Sequence, residues 1–267
     1  MNNEEYIGRI HLEILSIMDE IDKICREQGL QYYLIGGTLL GAVRHKGFIP
    51  WDDDLDIAMP REDYEKFIKI SPLVLPEHLC LGTARYGKSY HRLFSKVYNT
   101  RTLFVEGKTT TNMGIFVDIF PLDFSDGYTR LIEYRKWLVK KCSVMLSAKI
   151  YPGKLCGVKK LFVDILSSKQ ILRLAEYVMQ HPSSKTKAYT SNFTSHYDIK
   201  RQTMPSVYFG RGGELDFCGR KYMAPVDYNS VLLSIFGKRY MEIPPKEKQI
   251  THHPVLVKFS DETEARF

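Results

Sequence analysis

Four aspartates fall within five positions in the stretch "WDDDLDIAM", Trp51–Met59. Asp54-Leu55-Asp56-Ile57 reads as part of a strand, and strand side chains alternate between faces. Leu55 and Ile57 then turn into a core, while the carboxylates of Asp54 and Asp56 share the other face. Their Cα atoms should lie about 6–7 Å apart at a rise of ~3.3 Å per residue. Two such charges repel severely unless a cation sits between them or one takes a proton. Mg²⁺ (or Mn²⁺) is satisfied by carboxylate oxygens together with phosphates and waters, so the pair is a candidate metal site. Two other uses stay open: an acidic turn ahead of a helix, and an acidic cluster paired with the surplus of basic residues. An EF-hand loop is excluded. Asp52, Asp54 and Asp56 suit its first, third and fifth positions, but Ile57 replaces the required glycine and Asp63 the closing glutamate.

Gly36-Gly37-Thr38 lies just upstream, at a strand-to-helix junction. Backbone there can approach a phosphate closely, and a helix N-terminus offers N–H groups to it. No Gly-Lys-Ser/Thr follows, so this is not a Walker A loop. With the acidic strand it makes a site for a nucleotide phosphate and its metal. Asp118, in "FVDIF", sits among large apolar neighbours and complements the pair as third metal ligand or general base; the alternative is an aspartate facing solvent on a half-exposed strand. Arg44, His45 and Lys46 lie between the glycine pair and the acidic run, either meeting a donor phosphate or forming a solvated helix end. Lys96 reads as a phosphate ligand or a strand-edge lysine.

The elements that must hold these residues are legible. Ile7, Ile10, Ile14, Ile17, Ile21 and Ile24 form one helical stripe over residues 4–28, closed by Gly29. Residues 30–35 read as a buried strand, followed by a short helix from about Thr38 to near Gly47. "LDIAM" is a short strand, and Pro60 opens a helix with acidic residues in its first turn. Strands are expected at 78–82, 89–98, 101–106 and 114–120, with Asp123 as a turn or cap residue. Residues 126–181 read as basic helices, 210–213 as a glycine-rich turn, 228–237 as a helix, and "PPKEKQITHH" as a proline-initiated loop. The fold class is α/β (α+β): one catalytic core over 1–125, with a largely helical elaboration over 126–267 packed on it.

At 267 residues, 44% hydrophobic and 26% charged, the chain has the composition of a soluble globular protein. Five widely spaced cysteines with no CxxC argue against a disulfide framework or zinc ribbon and for a reducing, cytoplasmic setting. The opening "MNNEEYIGRIHLEIL" does not read as a secretory signal, and no apolar run is long enough to span a bilayer. A sequon at Asn192-Phe193-Thr194 is then a chance match. The net charge of +7 suggests an anionic partner. Nucleic acid is disfavoured, since no nucleic-acid motif appears. The segment 134–162 mixes Trp137 with many lysines and could lie on an anionic membrane face, at about 1 kcal/mol per basic residue; a helical lobe with a solvated lysine face is the alternative.

"YLIGGTLLGAVRHKGFIPWDDDLDIAMPREDYEKF" closely resembles the signature of the LicD family, the bacterial phosphorylcholine transferases related to the fukutins. "KVYNTRT", "GIFVDIFPLD" and "SIFGKRYMEIPPKEKQITHH" match in order, from about residue 30 to 253. The resemblance implies a nucleotidyltransferase-type mixed sheet and metal-dependent transfer of phosphocholine from CDP-choline, or of a related group from another CDP- or CMP-activated donor, to a glycan or lipid-linked glycan acceptor. The family pattern falls on Gly36, Gly37, Asp54, Asp56 and Asp118, and adds His252 by position. Gln249 stands where the family leads us to expect an arginine.

Overall fold

The structure, a computed structural model, describes residues 3–86, 90–106, 113–151, 165–181, 187–249 and 254–266. The chain divides into two compact units: Met1–Leu81, Lys96–Ile119 and Tyr208–Phe267 in the first, and Gly82–Ser95 and Phe120–Val207 in the second. The fold is mixed α+β, as its pattern of elements anticipates.

In the first unit, helix α1 (Asn3–Gln28) buries Ile10, Ile14, Ile17, Ile21 and Ile24 along the expected stripe. It ends in a Schellman motif: Gly29 takes φ 63°, its N–H reaches Arg26 O, and Leu30 N–H reaches Cys25 O. Strand β1 (Tyr33–Leu34) is shorter than the apolar run around it and pairs antiparallel with β2 (Asp56–Pro60). Between them lies α2 (Gly36–His45), and after β2 comes α3 (Arg61–Val74), with Pro60 as its N-cap. Strands β3 (Leu79–Gly82), β4 (Ser95–Asn99), β5 (Leu103–Glu106) and β6 (Phe116–Ser125) follow. The sheet runs β1-β2-β6-β4-β3.

The expected strand at 89–98 is narrower, because β4 starts only at Ser95. β6 is longer than expected. It passes through Pro121, and Asp123 lies inside the ladder as a buried residue, not in a turn.

The second unit holds the end of β6 with α4 (Arg130–Ile150), α5 (Ser168–Gln180), β7 (Tyr189–Ser191), α6 (Ile199–Gln202) and β8 (Thr203–Pro205). Its core packs Ile132, Val139 and Leu146 of α4 against Ile171, Ala175 and Met179 of α5, around Phe193. Arg135 is buried there, yet its guanidinium donates to Val178 O and Met179 O, carbonyls that the end of α5 leaves without helical partners. Asn192 of the sequon is buried and its side chain is engaged within its own loop.

The chain then returns to the first unit. Strands β9 (Gly213–Phe217) and β10 (Arg220–Ala224) form a hairpin whose two turn residues, Cys218 and Gly219, both have positive φ, the requirement of the tight turns that suit strand twist. Helix α7 (Tyr228–Phe236) follows, and then β11 (Pro254–Lys258) and β12 (Glu264–Arg266). β11 pairs antiparallel with β5, adding strands where only a loop was expected nearby.

The loop between α2 and β2 carries the acidic run, and its path is fixed by close backbone contact. A Cβ on Gly41 would stand 2.4 Å from Gly47 O and 3.2 Å from Ile49 N. Alanine favours a helix over glycine by about 1 kcal/mol, but this overlap is with backbone that cannot yield cheaply. Gly41→Ala should therefore lose about 2 kcal/mol in urea unfolding. An unchanged or more stable variant would mean that the loop does not close against α2 in this way.

Candidate functional site

The acidic run enters β2 with the alternation its sequence requires. Leu55 and Ile57 are fully buried, while Asp54 and Asp56 remain partly open to solvent. β2 itself starts at Asp56, so Asp54 stands on the segment leading into it. Leu55 O accepts from Asp118 N–H at 2.9 Å, which ties this segment to the first half of β6. Asp56 N–H donates to Thr38 Oγ1 at 2.8 Å, tying it to the first turn of α2.

The two glycines at the start of α2 differ in what they allow. Gly36 takes φ +56°, in the left-handed region, and a Cβ there would stand 3.5 Å from Asp56 Oδ2. At Gly37 a Cβ would stand 2.8 Å from Asp52 Oδ2. The Asp52 carboxylate thus lies over the N-terminus of α2, where the helix dipole favours negative charge. Asp53 is 3% exposed, and its charge acts on the buried Tyr6 hydroxyl and on His11.

The proton affinity of Asp56 is pushed well above the usual carboxylate range, first by burial and then by the charges of Asp54, Asp118 and Asp52. Lys96 is the cation that opposes this. It stands on β4 with its Nζ 2.9 Å from Asp118 Oδ1 and 3.1 Å from the centre of the Phe116 ring. His11 stacks on Phe48, and its Nε2 lies 2.7 Å from Asp52 O. Burial, the largest influence, lowers its pKa despite that carbonyl and the charge of Asp53, so it adds no positive charge at neutral pH.

The structure therefore brings together Gly36, Gly37, Thr38, Asp54, Asp56, Asp118 and Lys96. Arg44, His45 and Lys46 stand at the other end of α2, about 12 Å along it at 1.5 Å per residue. Arg44 donates to Tyr240 O, to Glu242 O and to His45 Nε2. Lys46 is the left-handed C-cap. Gln249 donates its side-chain amide to Pro244 O within its own turn. His252 lies outside the described residues. The pairing of Lys96 with Asp118 is not visible in the sequence, where Lys96 reads as a phosphate ligand or strand-edge lysine and Asp118 as a metal ligand or general base. Their alternating apolar neighbours, Val97 and Val117, were the available signal that both lie in one buried sheet.

Among the described residues no three His, Cys, Asp or Glu side chains are arranged to hold a metal ion. The donor set nevertheless suits a hard divalent cation chemically. It offers Asp54 and Asp56, all-oxygen and negatively charged, and Mg²⁺ commonly takes one or two protein carboxylates with phosphates and waters filling the rest.

Lys96 and Asp118 are 8% and 11% exposed at their side chains, so removing one charge strands the other out of water. Lys96→Met should cost about 3 kcal/mol in urea unfolding in chelator, and adding Asp118→Asn should restore much of that. A cost below about 1 kcal/mol for Lys96→Met would show that the pair is dispensable.

Residues 29–152 match the model of the LicD/FKTN/FKRP nucleotidyltransferase domain, a span that holds every residue of the assembled site. The chain is 29% identical over 250 residues to the lipopolysaccharide cholinephosphotransferase LicD of Haemophilus influenzae, covering 91% of this chain and 94% of that protein. It is 54% identical over 35 residues to the ribitol 5-phosphate transferase FKRP of mouse and of human, covering 13% of this chain and 7% of each of theirs. The acidic strand, the glycine pair and the buried Lys96–Asp118 ion pair of this chain all lie within the span that matches the LicD-family nucleotidyltransferase domain.

Proposed function

We propose that this protein is a transferase that moves a phosphoryl-linked substituent from a nucleotide-activated donor to a hydroxyl of a cell-surface glycan or glycolipid precursor, with phosphocholine from CDP-choline as the leading case. The observation that carries the reading is the crowding of carboxylates around Asp56, beside the glycine-led N-terminus of α2. It is supported by near full-length similarity to a lipopolysaccharide cholinephosphotransferase.

In this reading Asp54 and Asp56 hold a Mg²⁺ or Mn²⁺ ion, with Asp118 completing the carboxylate set. The bound ion supplies the positive charge that offsets the donor diphosphate and the departing CMP. The N-terminal turn of α2, Gly36-Gly37-Thr38, lets donor phosphate come close to backbone. Asp118, or another carboxylate of the group, takes the proton from the acceptor hydroxyl, while Lys96 holds Asp118 in orientation. Arg44, His45 and His252 are weaker candidates for donor contact, the first two because α2 carries them to its far end.

The similarity to a ribitol phosphate transferase keeps other donors in view: phosphoethanolamine, glycerol phosphate, ribitol phosphate or aminoethylphosphonate. Nucleotidyl transfer, the competing reaction, would leave the nucleotide on the product. A cytoplasmic site of action at the membrane belongs to the same proposal. Among the described residues no helix is long and apolar enough to cross a membrane. The exposed face of α4 presents Tyr134 stacked on Trp137, with Lys141 over the Trp137 ring, the composition of a peripheral contact. Residues 152–162 of the basic segment lie outside the described residues.

The test is CMP release from CDP-choline, CDP-ethanolamine, CDP-ribitol, CDP-glycerol and CMP-aminoethylphosphonate, with Mg²⁺ and a glycan acceptor. One donor should give metal-dependent CMP, and Asp54→Ala and Asp56→Ala should each lower the rate by about a hundredfold or more. Unchanged rates in both variants, or a product that retains the nucleotide, would overturn the assignment.

A further inference from the structure

The second unit contains a cavity that the proposed reaction does not use. Its volume is about 290 Å³, and all its walls come from that unit. At about 30 Å³ per water it has room for roughly ten waters, or a monosaccharide bearing one phosphate. Four of its lining residues can carry positive charge: Arg92, Lys136, Lys140 and His196. Ser143 and Thr194 add hydroxyls, while Leu93 and Val139 supply an apolar floor, and no carboxylate is in the lining.

The basic wall is built, not incidental. Asn192 Oδ1 accepts from Thr194 N–H, Thr194 Oγ1 and Ser195 N–H at 3.0–3.1 Å, which fixes the loop on one side of the cavity. The Lys136 ammonium reaches this loop from α4 and donates to Phe193 O at 2.9 Å and to Ser195 O. Lys140 follows one helical turn later on the same face. Burial, and then the like charge of Lys140, pull the Lys136 pKa down to about 8, with Asp198 acting in the opposite sense. Two ammonium groups that repel from neighbouring turns of one helix beside a hydroxyl-bearing cavity are relieved by an anion.

We propose that this cavity is a second ligand pocket, sharing no residue with the carboxylate site, that binds a phosphate ester of a sugar. The basic residues take the phosphate, and the hydroxyls of Ser143 and Thr194 with the apolar floor take the ring. The same phosphate–polyol chemistry occurs in a lipid headgroup, so the experiment separates the two sources.

Full-length protein in chelator would be titrated calorimetrically with glucose 6-phosphate, glucose 1-phosphate, N-acetylglucosamine 1-phosphate, glucose and inorganic phosphate. At least one sugar phosphate should bind about tenfold more tightly than glucose or phosphate alone. Lys140→Glu should weaken it by about tenfold, whereas Lys141→Glu, the same charge change one residue on and outside the cavity, should change it less than about twofold. The proposal fails if none of the sugar phosphates binds, if inorganic phosphate binds equally well, or if the two variants behave alike. It fails also if phosphatidylglycerol vesicles bind in a Lys140-dependent manner that no sugar phosphate displaces.

Discussion

The organising constraint of this molecule is mutual repulsion among carboxylates at the start of one short strand. Asp56 feels Asp54, Asp118 and Asp52, and Lys96 is a cation that opposes them. A fold can hold such a group only by fixing every member from the backbone outward. Leu55 is anchored to β6, Asp56 to Thr38, and Asp52 rests over Gly37. The left-handed Gly36 and the crowded Gly41 let α2 and its returning loop come close enough for these ties to form. Repulsion retained against this much local order is a mark of a binding site more than of a stabilising device, because a buried charge left uncompensated costs several kcal/mol.

Lys96 explains why the arrangement folds at all. It pairs with Asp118 directly, while Asp54 and Asp56 keep some contact with solvent. The sheet order β2-β6-β4 places the acidic strand, Asp118 and Lys96 on successive strands, so a single sheet sets their relations.

Much of this was readable from residues alone, and the reason is periodicity. The α1 stripe, the Gly-Gly junction, the alternation at 54–57 and the buried setting of Asp118 are local patterns, and each appears in the structure where its spacing put it. What could not be read depended on partners distant in sequence. The apolar run 30–35 forms a two-residue strand because only Tyr33 and Leu34 pair in register with β2. Asp123 looked like a turn residue after Pro121, but pairing with β7 carries the strand through it. The association of β11 with β5 joins segments some 150 residues apart and leaves no mark in either segment. Lys96 and Asp118 each invited a separate role, since sequence offers no measure of the 2.9 Å between them.

The most direct test of the central claim is whether a divalent cation stabilises the native protein through these carboxylates, independently of turnover. Urea unfolding would be followed against free Mg²⁺ and Mn²⁺ for the wild type and for Asp54→Asn and Asp56→Asn. A cation bound only by the folded state should raise wild-type stability by about 2.7 kcal/mol at a hundred times its dissociation constant, and neither variant should show that rise. A wild-type stability that does not change with either cation, or a rise that both variants share in full, would contradict the account.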